Sequence, residues 1–249
     1  GDTEFIRSWW PQMKQFMALI CTEDNRHNGP SAVSYGDWLN MNDETPVRLI
    51  GLAYRAYDAR LMMEMAAAID EQDDQVCYAI EAEQARAMFR DAFFDGKERT
   101  GQSQTACALA IAMELLFDDD LGRARHWLFQ GLEKSGGRLT TGFVGTAYLC
   151  EALSRAGRSD LAVQLLLNED FPSWLYEVRN GATTIWERWD SWTRERGFGD
   201  GGMNSFNHYA FGAVCGWMVE RLAGIRPGSP GFETVHIEPC LTDRLDFVN

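Results

Sequence analysis

Residues 45–68 read TPVRLIGLAYRAYDARLMMEMAAA. Thr45-Pro46 is a helix start signal: a hydroxyl able to cap, then a proline whose missing N–H costs nothing at the first helical position. Leu49, Leu52, Ala53, Ala56, Ala59, Leu61, Met62, Met65 and Ala66 then recur at three- and four-residue steps, which predicts one long helix over about 46–69. Working outward, Asp2 or Thr3 can cap an upstream helix reaching about Ile20, with Phe5, Ile6, Trp9, Met13, Phe16, Met17 and Ile20 on its apolar stripe. Downstream, the same period predicts helices at about 74–94, 103–117, 120–133, 143–157, 159–168 and 206–223. Their joints are short and carry Gly or Asp: Asp95-Gly96, Asp118-Asp119-Asp120, Gly136-Gly137 and Gly157. Short joints make consecutive helices antiparallel neighbours. The expectation is an all-α toroid of stacked helical hairpins over residues 1–226, followed at 227–249 by the start of a β-domain. Pro227-Gly228-Ser229-Pro230-Gly231 punctuates that change, and Phe232–Pro239 alternates as a strand does. No strict repeat of the lengths used by helical solenoids is visible.

Composition narrows the function classes. The chain of 249 residues carries 23 Lys+Arg against 37 Asp+Glu, a formal charge of −14. A protein that grips a phosphate backbone neutralises it with Lys and Arg, so nucleic acid is excluded as a partner. The longest apolar runs, Ala106–Ile111 and Leu161–Leu167, are far too short for a membrane span. The opening Gly1-Asp2-Thr3-Glu4 has neither the basic start nor the apolar core of a secretion signal. The expectation is a soluble protein, cytoplasmic or periplasmic. Six cysteines with no C-x-x-C spacing, several in apolar helical runs, are expected to be buried free thiols. Four histidines without a close pair make no metal pattern, and no cofactor motif is present: G-x-S-x-G, P-loop and G-x-G-x-x-G are all missing.

Nine Trp residues are a surplus, and indoles commonly line sugar sites because the apolar faces of a pyranose stack on them. Chemistry concentrates in the loops between helices. Trp186-Glu187-Arg188-Trp189-Asp190-Ser191-Trp192 sets a carboxylate between indoles, whose apolar walls push a carboxyl toward the range useful for proton transfer, while Arg188 pulls the other way. A purely structural Glu187, capping a helix or paired with Arg188, fits the same string. Asn204-Ser205-Phe206-Asn207-His208 offers amide and imidazole groups of the kind that hold vicinal hydroxyls, or a helix cap with a satisfied histidine nearby. Asp37-Trp38 sets an acceptor beside a stacking surface, or a turn beside a packing indole. Together these groups suit glycoside hydrolysis, in which a carboxylic acid protonates the leaving oxygen and a second carboxylate acts on the opposite face.

Longer strings make the pattern specific. TTGFVGTAYLCEALSRAGRSDLA, NEDFPSWLYEVRNGATTIWERWD, GMNSFNHYAFGAVCGW and PGFETVHIEP, with YGDWL and GQSQTACALA upstream, resemble the C-terminal half of the catalytic domain of bacterial α-L-rhamnosidases, glycoside hydrolase family 78. The resemblance implies an (α/α)6 barrel, an inverting mechanism and a rhamnose-containing carbohydrate as substrate. It implies Glu187 as the general base that activates water, with Asp37, Trp38, Trp186 and His208 lining the rhamnose pocket. The chain departs from the family pattern in one respect. The acidic, Arg-containing motif that carries the family's general acid occurs nowhere between Gly1 and Asn249, and the eight or nine helices read here fall short of a closed double ring of twelve. The barrel is therefore expected to be incomplete, with the acid outside this chain and exposed helix faces that favour a homo-oligomer. Another inverting (α/α)6 glycosidase, or a non-catalytic carbohydrate-binding remnant of one, would share these features.

Overall fold

A computed structural model describes residues 2–21, 35–94, 101–199 and 201–247. Among them are nine α-helices: α1 (Thr3–Ile20), α2 (Val47–Ala68), α3 (Gln72–Phe93), α4 (Gln104–Ala112), α5 (Asp118–Lys134), α6 (Phe143–Arg155), α7 (Ser159–Leu166), α8 (Trp174–Arg179) and α9 (Val214–Trp217). The joint at Asp95-Gly96 and residues 22–34 lie outside the described residues. The helices stack as consecutive pairs: α2 runs along α3, α4 lies against both α5 and α6, and α7 packs on α6. Stacked consecutive helix pairs are the building unit of the (α/α)6 architecture expected from the sequence. No described helix is long and apolar enough to cross a membrane.

The core is organised around α4, in which every residue from Gln104 to Ala112 is buried. Its run of Ala, Cys and Thr side chains lets α6 approach closely. A Cβ on Gly145 of α6 would overlap Thr105 Oγ1, so only glycine fits at that crossing. Around it pack Leu49, Leu52, Phe89, Phe93, Leu128, Leu149, Leu153 and Trp189. A second, smaller cluster joins α1 to α2 and α3 through Trp10, Met17, Ala59, Met62, Ala66, Ile69 and Tyr78. On its other side α1 exposes Phe5, Trp9, Phe16 and Leu19.

Local chemistry explains where the elements begin. The Asp2 carboxylate accepts the Phe5 N–H at 2.9 Å and caps α1. Thr45 does not cap α2, in contrast to the sequence expectation. Its buried hydroxyl pairs with Ser103 Oγ at 2.6 Å, and Ser103 in turn accepts the Ala106 N–H at 3.1 Å to cap α4. Two helix starts are thereby locked together. The helix expected at 206–223 is also corrected. Residues 206–208 are not helical: the His208 N–H donates to Ile185 O at 2.9 Å and the Thr184 hydroxyl to Phe206 O, and the chain then coils through a 3₁₀ turn (Ala210–Ala213), α9 and a π turn (Met218–Leu222). The stretch 172–207, expected to be loop, contains α8 and a two-residue hairpin of β1 (Trp192–Thr193) with β2 (Gly197–Phe198).

At the C-terminal end β3 (Ile225–Pro227) pairs antiparallel with β4 (Val235–Ile237), so this small sheet straddles position 226. None of the six cysteines, all among the described residues, is disulfide-bonded. Cys107 and Cys150 are buried as expected, whereas Cys77 and Cys215 are exposed because they sit on outward helix faces.

Candidate active site

Two loops and one helix mouth assemble the site. The first loop, ahead of α2, carries Asp37 and Trp38. Asp37 is buried at 3% exposure, and protein donors occupy both of its oxygens. Oδ1 accepts the N–H groups of Val144 at 2.8 Å and Gly145 at 3.0 Å. Oδ2 accepts the Gly142 N–H at 2.7 Å and the Thr105 hydroxyl. Asp37 thus satisfies the orphan N–H groups at the start of α6, where the helix dipole favours an anion. The neighbouring carbonyl of Trp38 accepts the Phe143 N–H at 2.9 Å. A Cβ on Gly142 would overlap the carbonyl oxygen of Trp38, so glycine is required where this loop crosses the helix. The Trp38 ring is half-buried and meets Tyr35 edge-on at 5.3 Å.

Phe143, the first residue of α6, connects this loop to the second. Its ring lies 4.7 Å from the imidazole of His208 and 5.0 Å from Phe211. His208 is half-buried, stacks parallel to Tyr209 at 5.5 Å, and donates its backbone N–H to Ile185 O at 2.9 Å. That last bond is one of two backbone hydrogen bonds that join residues 185–187 to residues 205–208. Two residues along, the Glu187 N–H donates to Ser205 O at 2.9 Å, and the Ser205 N–H donates to Glu187 Oε2 at 2.8 Å.

Glu187 is half-buried, and Oε1 accepts no hydrogen bond from the described residues. Arg188 does not neutralise it. The guanidinium turns to Asp190 at 3.6 Å, and Asp190 is also held by Arg196 at 3.0 Å. Trp186 is buried at 5% exposure and meets Phe206 edge-on at 5.3 Å.

The structure therefore links Asp37, Trp38, Phe143, His208, Trp186 and Glu187 through one chain of contacts. Asp37 lies beneath the surface of that chain, and Trp38, His208 and Glu187 are the partly exposed members. Sequence reasoning missed Phe143 and Ser205. Both sit inside strings already singled out, TTGFVGT and NSFNHY, yet their contacts depend on tertiary pairing that no local spacing signals. It also missed Glu177 of α8, which is 2% exposed, has Oε1 without a partner, and is pushed up to about 8 by burial, opposed only by the Trp186 N–H. Among the described residues no three His, Cys, Asp or Glu side chains group as a metal site.

Comparison with known proteins gives concordant matches. The family model for the bacterial alpha-L-rhamnosidase 6 hairpin glycosidase domain matches residues 1–222. An alpha-L-rhamnosidase of Alteromonas sp. (strain LOR) is 36% identical over 99% of this chain and 28% of its own length. The crystal structure of Streptomyces avermitilis alpha-L-rhamnosidase complexed with L-rhamnose superposes with a TM-score of 0.88 at 37% identity, over 97% of this chain and 23% of that one. That of native alpha-L-rhamnosidase from Aspergillus terreus superposes with a TM-score of 0.85 at 26% identity, over 97% and 29% of the two chains. The chain spans about a quarter of the length of these relatives.

Proposed function

The chain belongs to the bacterial α-L-rhamnosidase six-hairpin glycosidase family, and from that membership and the geometry above we propose that it supplies the general-base side of an inverting site that removes terminal α-L-rhamnose from glycosides or polysaccharides. The observation that carries this reading is the state of Glu187. It is the carboxylate of the linked cluster that combines partial exposure, a single oxygen anchored by one N–H, and no ion pair among the described residues. An anchored, unneutralised carboxylate is what a general base needs, because its geometry is fixed while an oxygen stays available for a water proton.

In this reading Glu187 takes a proton from water as that water attacks the anomeric carbon, and a second carboxylic acid protonates the departing oxygen from the opposite face. Inversion requires about 6.5–9.5 Å between the two carboxyl groups. The resemblance places the acid in an acidic, Arg-containing motif that residues 1–249 do not carry, so we assign it to sequence outside them; within the linked cluster Asp190 is committed to two arginines and Asp37 to four donors. Trp38 offers an indole for the apolar face and methyl group of a 6-deoxy sugar, and His208 a ring nitrogen for a hydroxyl. Asp37 and Trp186 shape this pocket from behind: Asp37 fixes the loop bearing Trp38, and Trp186 excludes water from one flank of Glu187. The stretch 227–249 is assigned to the lead into a C-terminal β-domain.

The test is Glu187→Gln in the native polypeptide, assayed on an aryl α-L-rhamnoside. Loss of a general base costs about 10²–10⁴-fold in kcat, and KM is expected to change little. A near-normal kcat would remove the assignment.

A further inference from the structure

Phe143 joins the loop that bears Trp38 to the segment that bears His208. It is the first residue of α6, and its backbone N–H donates to Trp38 O at 2.9 Å. On either side of it the Asp37 carboxylate accepts the N–H groups of Gly142, Val144 and Gly145. Four successive amides are thereby held by two successive residues, and the start of α6 is fixed to the Trp38 loop. The Phe143 ring reaches the other way, 4.7 Å from the imidazole of His208 at a tilt of 31° and edge-on to Phe211 at 5.0 Å. Phe211 is fully buried and stacked on Trp189 at 3.9 Å, and its carbonyl accepts the Trp174 Nε1–H at 2.9 Å. The Phe143 ring therefore spans from the core to the histidine.

What that contact controls is the plane of the imidazole. The Ala210 N–H donates to His208 Nδ1 at 3.4 Å. A ring nitrogen that accepts an N–H carries a lone pair, so the neutral ring bears its proton on Nε2. Nε2 is then a donor, and a donor meets a sugar hydroxyl at its oxygen. Such a bond weakens steeply as its angle closes, so its worth depends on how the ring is turned. The His208 N–H, bonded to Ile185 O at 2.9 Å, holds the main chain rather than the ring. The bond from Ala210 is long and locates a single ring atom. Tyr209 lies parallel to the imidazole at 5.5 Å but is 87% exposed, so it is a poor anchor. Phe143, tied to α6 and to the core, is the firm one.

We propose that Phe143 is a positioning residue for the substrate: its backbone holds the Trp38 loop and its ring sets the plane of His208, so that one residue fixes how the indole and the imidazole stand relative to each other. The proposal rests on Trp38 and His208 receiving the sugar. It adds that their spacing is set by the first residue of α6 rather than by either loop alone. A ring that acts only through His208 has nothing left to do once the imidazole is removed. That separates it from a ring that touches the sugar itself or merely packs.

The test is a double-mutant cycle of Phe143→Leu and His208→Ala in the native polypeptide, assayed on an aryl α-L-rhamnoside. His208→Ala should raise KM about fivefold or more, the worth of one hydrogen bond to the substrate. Phe143→Leu keeps apolar volume but loses the flat face. It should raise KM about threefold or more with a smaller change in kcat, the pattern of lost ground-state binding. In the His208→Ala background the same change should alter KM by less than about twofold. A smaller rise in His208→Ala means that the histidine does not hold the sugar, and the proposal fails with that part of the reading. A smaller rise in Phe143→Leu, an effect carried mainly by kcat, or an undiminished effect in the double variant overturns the positioning role alone. Should Phe143→Leu lose its fold, Phe143→Met replaces it, and the same cycle decides.

Discussion

The mouth of α6 and the joined segments 185–187 and 205–208 each present a carboxylate, and the two are treated in opposite ways. Asp37 is buried and surrounded by four donors, so nothing is left over for a ligand. Glu187 is half-buried and anchored by one N–H. A carboxylate whose lone pairs are all engaged by backbone N–H groups serves the frame. One held at a single oxygen is oriented but still free to exchange a proton. Glu177 is a third case, buried with Oε1 unpartnered and no ion pair among the described residues, and the difference among the three is the clearest functional statement the geometry makes.

The contrast is open to attack at each member. The largest effect on folding is expected at the frame carboxylate. Asp37→Ala would strand buried N–H groups of Gly142 and Gly145 together with the Thr105 hydroxyl, costing about 3–5 kcal/mol. Chemical denaturation should show this as a lower midpoint at unchanged slope. A loss of activity with stability untouched would make Asp37 a ligand-contacting residue instead. The next effect follows from Glu177. Its folded pKa of about 8 lies above the ordinary 4.5, so between those values the folded chain keeps a proton that the unfolded chain releases. Stability is then greatest below about pH 4.5 as far as this group is concerned, declines as pH rises through the window, and is level above about 8. The decline is on the order of a few kcal/mol, since each pKa unit is worth about 1.4 kcal/mol. Glu177→Gln should flatten it, and an unaltered pH slope in that variant would contradict the neutral acid. Smallest is Asp190→Asn. The carboxylate is shared between partly exposed arginines, and such pairs contribute about 1 kcal/mol or less. Its kcat should stay within about threefold of the parent, whereas a drop of several orders of magnitude would mark Asp190 as the missing acid.

Much of this was legible in sequence. The apolar period over residues 46–69 locates α2 to within a residue or two, and the strings WERWD and NSFNHY name the two segments that meet at the site. What escaped was everything decided by a partner distant in sequence. Thr45 has the chemistry of a cap, but Ser103 lies across from it and takes its hydroxyl. Residues 206–208 carry helix-compatible spacing, but Ile185 O takes the His208 N–H and the Thr184 hydroxyl takes the Phe206 carbonyl, and helical turns start only at Ala210. Trp186 and Trp38 are both indoles next to an acidic residue, yet packing buries one and leaves the other half-exposed. Glu177 reads as an ordinary first-turn acid of a short helix. Only the fold around α8 removes its solvent.

The central claim is that Glu187 deprotonates the attacking water, and the most direct measurement replaces that function chemically. Glu187→Ala in the native polypeptide should be nearly inactive on an aryl α-L-rhamnoside in water. Azide is small, needs no deprotonation and fits the space the side chain vacates, so it should restore turnover and give the inverted β-L-rhamnosyl azide, identified by NMR. Failure of azide to restore any turnover in a folded variant, or formation of the α-azide, would contradict the assignment.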